Sequence, residues 1–454
     1  MTLACNLGCA HCGSRAGRAR DDELETTEIA RVLGELSGLG CPRVTLSGGE
    51  VMLRPDWLDL VAAGRKAGLR VGMITNGLAL DRHAARAAKE AGLSAVGLSL
   101  DGIGPTHDRL RRCPGLSERV LAAMEAAVFE GLQFSVVTQV SRANIAELEA
   151  VRDLVAAQGG FAWQVQPSIA MGELCANPEL TLRSRDIPGL ERQVARLVKG
   201  SRLRVDVGDS LGYFGPKERT LRKSLGRACF GGCQAGLTVI GIESNGNVKG
   251  CLSLQPGCGP GGERFVEGNV RRESLGDIWR RSGAFAYNRQ WSVENLGGFC
   301  RTCEHALACR GGCLSVRVAS GGGTENPLCA HRQLASEPLK TSVAASVAAG
   351  VLATVLGAGS AGCFGSDADA TAMYDAPMED SGVDSGVDAG ADADTDTDTD
   401  TDADSDTDAD TDSDTDSDAG VDAGTDTDTG SATGMPLYDF AMIGITTKED
   451  VSRG

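Results

Sequence analysis

The sequence predicts an α/β protein: a parallel sheet built from repeated strand–helix units, then a smaller cysteine-dense extension, then a disordered acidic tail. Three observations carry this. Apolar segments with strand and helix periods alternate from about residue 26 to residue 166. Polar residues collect where each strand ends, the end at which barrels of this class place their sites. The composition also breaks sharply. Fifteen of the sixteen cysteines precede residue 335, whereas residues 366–430 are almost wholly Asp, Thr, Ser, Ala, Gly and Val.

The elements follow in order. Ile29, Val32, Leu33, Leu36 and Leu39 form one helical face over 26–39, with Thr26 or Thr27 as the N-cap. Strand Val44–Ser47 ends in Gly48-Gly49-Glu50. A helix near 56–67 leads to strand Val71–Thr75, which ends in Asn76-Gly77. A helix near 81–91 leads to strand Ala95–Leu100, which ends in Asp101-Gly102. Helix 117–130, strand Phe134–Val140, helix 144–157 and strand Trp163–Gln166 continue the pattern. Such repeats favour right-handed crossovers in a parallel sheet.

The net charge of −18 belongs to the tail. Of 62 acidic residues, 24 lie between Asp367 and Asp428, where there is no Lys or Arg. Residues 1–363 hold 42 basic and 35 acidic residues, a mild +7 that does not argue for nucleic acid. The Asp-Thr run cannot bury enough apolar surface to offset its ordering entropy, so a self-repelling, extended spacer is expected. It lacks the glycines and ligand spacing of a calcium loop. Before it, Thr341–Gly362 is uncharged, with Val343, Val347, Val351 and Val355 at helical spacing. About twenty such residues can span a bilayer. Lys340 precedes the run and Ser360-Ala361-Gly362-Cys363 follows it, an order that resembles a bacterial lipoprotein signal placed internally.

The chemistry sits in the cysteines. Cys5, Cys9 and Cys12 share one short loop, with His11 between the last two. Three thiolates there can hold three irons of a four-iron cluster and leave the fourth open. A zinc knuckle is the bland alternative. A second set follows: Cys229, Cys233, Cys251, Cys300, Cys303, Cys309, Cys313 and Cys329. Cys300, Cys303, Cys309 and Cys313 alone could bind zinc. Cys41, Cys113, Cys175, Cys258 and Cys363 remain, and are expected to be buried or incidental thiols. Cys258 lies near enough to the second set to be a spare ligand. Disulfides are not expected, because cluster assembly needs reduced thiolates and hence a cytosolic site.

The spacing of Cys5, Cys9 and Cys12 resembles the radical S-adenosylmethionine (SAM) signature. The later cysteines resemble, at every spacing, the SPASM extension of that family. The resemblance covers residues 2–335 and implies a partial (β/α)6 TIM-like barrel over 1–215 and a SPASM domain over 216–335. The apolar segment 341–363 and the tail 364–454 lie beyond it. It further implies three [4Fe–4S] clusters. One, on Cys5, Cys9 and Cys12, would bind SAM and cleave it to a 5′-deoxyadenosyl radical that removes a hydrogen atom. Cys229, Cys233, Cys251 and Cys313 would hold a first auxiliary cluster, and Cys300, Cys303, Cys309 and Cys329 a second, both conducting electrons. Gly48, Gly49 and Glu50 would meet the SAM amino group, Ser99 and Asp101 would make polar contacts to SAM, and His11 would approach adenine.

Strand one of such a barrel precedes the first cysteine. Here only Met1–Ala4 is available, so an upstream start or a vestigial strand is expected, and a winged-helix peptide-recognition domain is missing. The family implies an oxidoreductase or maturase acting on a peptide or protein, including ribosomally made peptides, with a flavodoxin or ferredoxin as electron donor. Sulfatase activation, small-molecule chemistry and a non-catalytic electron-transfer module are the alternatives. The tail itself is a candidate substrate: Met373-Tyr374-Asp375-Ala376-Pro377-Met378 matches Leu437-Tyr438-Asp439-Phe440-Ala441-Met442 at three of six positions. The catalytic body is expected in the cytoplasm, with membrane association through 341–363.

Overall fold

A computed structural model of the chain describes residues 1–336, apart from 209, 256, 257 and 259–263, together with the backbone of 443 and 444. The segment 341–363, both tyrosine motifs and the Asp-Thr run lie outside the described residues. Among the described residues, no helix is long and apolar enough to cross a membrane.

Six strands form one parallel sheet in sequence order: β1 Arg43–Leu46, β2 Arg70–Thr75, β3 Ala95–Ser99, β4 Phe134–Val140, β5 Ala162–Pro167 and β6 Arg204–Val207. The helices between them are α1 Thr26–Gly38, α2 Trp57–Lys66, α3 Arg82–Glu90, α4 Pro105–Arg111, α5 Leu116–Phe129, α6 Leu148–Ala157 and α7 Ile187–Lys199. All five residues of β3 are buried, as a strand covered on both faces requires. Ile29, Val32, Leu33 and Leu36 of α1 are buried, each contributing about 1.5–3 kcal/mol. The alternation thus becomes the partial barrel the spacing predicts.

Three details differ from the sequence reading. The N-cap of α1 is Glu25, whose N–H donates to the Glu28 carboxylate at 2.8 Å, while Thr26 Oγ1 donates to Asp56. An acidic residue at the third helical position can serve the cap as well as a threonine can. Helices α4 and α7 and strand β6 were not expected. Met1–Ala4 is no strand of the sheet. It runs past the loop after β1, with the Met1 amino group on Ser47 O and Thr2 O accepting from Gly49 N.

A second, antiparallel sheet orders β10-β7-β8-β9, from β7 Val239–Ile242, β8 Asn247–Lys249, β9 Gly268–Asn269 and β10 Ile443–Gly444. Ile443 pairs with Ile240 and Gly444 with Val239. β10 also lies against β1. Arg271 ties this region to α1 through two 2.7 Å bonds to the Glu28 carboxylate.

Candidate active site

The strand ends and the antiparallel sheet enclose one cavity of about 390 Å3. Cys5, Cys9 and Cys12 line it on the barrel side. Their loop is fixed by backbone bonds from Cys5 N to Gly17 O (2.9 Å), Ala10 N to Leu110 O (2.9 Å) and Cys12 N to Cys9 O (3.2 Å). Cys12 Sγ accepts from Ala16 N at 3.4 Å, and Arg111 Nη1 lies 3.9 Å from Cys9 Sγ. Burial pushes the Cys5 and Cys9 thiols up. Three sulfurs on one loop, turned to a cavity and disfavoured as free thiolates, suit ligation to metal, which stabilises the deprotonated form.

Gly48 and Gly49 line the cavity, but their lack of Cβ serves the chain itself. A Cβ on Gly49 would lie 2.1 Å from Ala4 O, and one on Gly48 2.3 Å from Thr2 O. The N–H groups of Gly49 and Glu50 donate to Thr2 O and Ala4 O at 2.7 Å each. Glu50 is 1% exposed. Its carboxylate accepts from Thr75 Oγ1 (2.7 Å), Asn76 N (2.8 Å) and Met52 N (3.2 Å). Burial raises its pKa against those bonds. Both oxygens brace the ends of β1 and β2, and the expected SAM ammonium would be a further donor to this carboxylate.

Ser99 lines the cavity. Asp101, the other residue expected to contact SAM, is not among its lining residues. Asp101 is fully buried, and its Oδ2 lies 2.7 Å from Arg111 Nε and 3.0 Å from His11 Nε2. Its Oδ1 accepts from Gln139 N at 2.9 Å. Burial alone would raise the Asp101 pKa, but Arg111 and His11 outweigh it and hold the carboxyl well below the usual range. The Asp101 N–H donates to Nδ1 of His107, whose pKa burial lowers to about 4. His11 lines the cavity, and its buried Nδ1 has no hydrogen-bond partner. An orphaned ring nitrogen there suits a ligand that donates, such as the amino group of adenine.

The later cysteines sort into two groups. Cys233, Cys251 and Cys313 line the same cavity, opposite the barrel. Cys300, Cys303, Cys309 and Cys329 line a separate, smaller pocket with Tyr213, Phe214, His305 and His331. Cys313 thus lines a different pocket from its sequence neighbour Cys309. Cys229 lines neither pocket. Backbone N–H groups approach the sulfurs: Asn326 to Cys300, His305 to Cys303, Arg332 to Cys329 and Ser253 to Cys251, at 3.4–3.5 Å. Burial pushes Cys329 up to about 11 and Cys309 higher. Three buried sulfurs and the half-buried Cys303 facing one apolar pocket fit a ligated cluster.

The remaining cysteines bring one correction. Cys175 and Cys258 form a disulfide, with Cα atoms 5.4 Å apart and a sequence separation of 83. Cys258 is therefore no spare ligand. Two thiols so distant in sequence give no local spacing signal. Cys41 is buried and donates to Arg43 O at 2.9 Å, and Cys113 is half-buried. Cys363 lies outside the described residues.

Several cavity residues carried no motif. Gln139, Gln164 and Gln166 line its wall from β4 and β5. The alternation Gln164-Val165-Gln166 puts two carboxamides on one face of a strand, a period-2 signal available in the sequence. Ser210, Phe230 and Arg111 also line the cavity.

Residues 1–155 match the radical SAM superfamily, and residues 233–304 match the SPASM iron–sulfur cluster-binding domain. The chain is 29% identical over 345 residues to the AdoMet-dependent heme synthase of Methanosarcina barkeri, covering 73% of this chain and 95% of that protein. It is 28% identical over 338 residues to the mycofactocin maturase MftC of Mycobacterium tuberculosis, covering 72% and 80%. The crystal structure of Streptococcus suis SuiB bound to S-adenosylmethionine shares the fold, with a TM-score of 0.58 at 15% identity over 72% of this chain and 75% of that one.

Proposed function

The chain is a radical SAM enzyme with a SPASM extension, and from that premise we propose that it modifies a peptide, and that the peptide is its own C-terminal segment. When bound, SAM and its [4Fe–4S] cluster supply the deoxyadenosyl radical that abstracts a hydrogen atom. In this reading Cys5, Cys9 and Cys12 hold that cluster, and Cys229, Cys233, Cys251 and Cys313, with Cys300, Cys303, Cys309 and Cys329, hold two more. Gly48, Gly49 and Ser99 border the SAM position. Glu50 and Asp101 fix the loop after β1 and the His11 ring.

The wall of the cavity carries the substrate reading. Gln139, Gln164 and Gln166 offer neutral amide donors and acceptors, which match a peptide backbone. The heme-synthase relative raises a second reading, a tetrapyrrole. Ionised carboxylates of such a substrate need cations. Among the described lining residues, Arg111 is the one cation of this cavity, and Asp101 already neutralises it. In the adjoining opening, Arg20 is paired with Glu243. The peptide reading is the better supported.

Two observations favour the chain's own tail. β10 pairs with Val239 and Ile240 of β7, and both line the cavity. Tyr438 lies five residues before Ile443, a span of at most about 18 Å. A tethered segment also meets the cavity at an effective concentration set by its linker.

The test uses full-length protein reconstituted without oxygen, with SAM and a reductant. 5′-Deoxyadenosine is followed by chromatography, and the tail peptides are weighed in the same tube. Deoxyadenosine with a mass change at Tyr438 or Tyr374 supports the reading. Deoxyadenosine beside an unchanged tail overturns self-modification and leaves a separate peptide. No deoxyadenosine from cluster-replete protein overturns the catalytic reading.

A further inference from the structure

Between the two groups of later cysteines stands one aromatic side chain that the catalytic reading does not use. Tyr213 is 1% exposed. Its hydroxyl accepts from Cys313 N at 3.2 Å, on the cavity side. Its carbonyl faces Cys329 Sγ at 3.7 Å, on the side of the smaller pocket. Phe230 meets its ring edge-on, with centroids 5.1 Å apart, and Phe230 itself lines the cavity. Tyr213, Phe230, Cys309 and Cys329 pack as one apolar cluster, with Phe214 and Cys313 against it.

The chain holds this wall in an uncommon conformation. Tyr213 and Phe214 follow Gly212, and all three have positive φ, at 72°, 62° and 106° respectively. Bulky residues keep that region only where the surroundings impose it, and such residues cluster at functional sites. Here the surroundings are identifiable. The buried Glu218 carboxylate accepts from Phe214 N at 3.2 Å and from Phe230 N at 2.9 Å, and Arg222 neutralises it at 2.9 Å. Ala330 N donates to Gly212 O at 3.1 Å. A Cβ on Gly312 would lie 2.9 Å from the Tyr213 ring, so that position must stay bare. One carboxylate thus ties both aromatic segments together between the cysteine groups.

We propose that Tyr213 is a positioning residue that joins the two auxiliary cysteine groups. Its hydroxyl fixes the Cys313 backbone, and with Phe230 it forms the aromatic path for electrons between them. This rests on the reading that both groups hold clusters. One electron moves along the path per transfer, no atom changes place, and a one-electron protein donor or acceptor at the surface balances it. The smaller pocket is the outward end, where His305 and His331 are partly exposed and Phe214 stacks on His305 at 4.3 Å.

The test compares the reconstituted full-length protein with Tyr213→Phe and Tyr213→Leu. Iron content and circular dichroism are measured for each. Cluster midpoints come from potentiometric titration followed by electron paramagnetic resonance. Electron transfer between the auxiliary clusters is timed by flash reduction and freeze-quench. Y213F should keep its iron and its transfer rate but shift the midpoint of the cavity-side cluster, because the freed Cys313 N–H finds a new acceptor. Y213L should keep iron and end-point reduction but slow the transfer several-fold. Unchanged midpoints in Y213F together with unchanged rates in Y213L overturn the proposal. If Y213L loses iron, the Y213F midpoint alone decides. Absence of auxiliary signals in the parent protein would instead overturn the cluster reading.

Discussion

Replacing Asp101 with Asn tests whether the buried network behind the SAM cavity is organised by charge. The carboxylate is fully buried, and Arg111 beside it is only 13% exposed. Asn keeps the shape and removes the charge. Whichever way its amide turns, an N–H replaces either the oxygen shared by Arg111 Nε and His11 Nε2 or the one that accepts from the Gln139 N–H. At least one hydrogen bond is lost and a buried guanidinium loses its counter-ion. Breaking a buried pair from one side costs about 3–5 kcal/mol. The assay is urea unfolding under anaerobic conditions, read by the fluorescence of Trp163, which is fully buried on β5. The double variant Asp101→Asn with Arg111→Met removes both charges and should recover about 2 kcal/mol of that loss, since an apolar pair leaves no unpaired charge. An unfolding midpoint in D101N equal to the parent's would refute the argument. So would a double variant whose loss is the sum of the two single losses.

Three further outcomes are expected. Gly49→Ala places a methyl group against Ala4 O, a backbone atom that cannot swing aside. Iron bound through Cys5 should fall while the circular dichroism of the barrel stays, at a stability cost of about 1–3 kcal/mol. Glu28 is held at about 2 by its hydrogen bonds to Arg271, below its unfolded value near 4.5. That contribution is present above pH 4.5 and disappears as pH falls towards 2. Both side chains are part-exposed, so Arg271→Met should lower the urea midpoint slightly at pH 7 and progressively less by pH 3, the two midpoints converging. Cys175→Ser opens a loop whose closure is worth up to about 4.5 kcal/mol in the chain-entropy account. A non-reducing digest of the parent should contain the linked Cys175–Cys258 peptide, and the variant should unfold at lower urea.

The barrel was legible because each of its signals is local. The face of α1 and the strands from Val44, Val71, Ala95, Phe134 and Trp163 all declare themselves by period within a few residues, and each strand formed where that period placed it. Helix α7 does carry a helical period, in Ile187, Leu190, Val194 and Leu197, and was overlooked. Helix α4 and strand β6 carry little signal. Helix α4 has Pro105 at its start and only two buried side chains, His107 and Leu110. Strand β6 is four residues long. The grouping of Cys313 apart from Cys309 and Cys329 was expected only from the resemblance to the SPASM extension, since no local period carries it.

The two carboxylates show where such legibility stops. Glu50 and Asp101 stand at strand ends beside the cavity, where an acidic residue invites assignment to a ligand. Whether an acceptor is free depends on who else reaches it, and those partners are remote in sequence. Thr75 and Asn76 reach Glu50 from the next strand, and Arg111, ten residues on, reaches Asp101 from a helix that was not expected. The cost of a buried, unpaired charge gives the reason for both arrangements. Arg111 and His11 offset Asp101, and three hydrogen bonds hold Glu50, so apart from Arg111 and His11 the cavity presents neutral amides, hydroxyls and cysteine sulfurs. A wall without free charge does not hold a substrate by ion pairing. It leaves discrimination to shape and to amide hydrogen bonds.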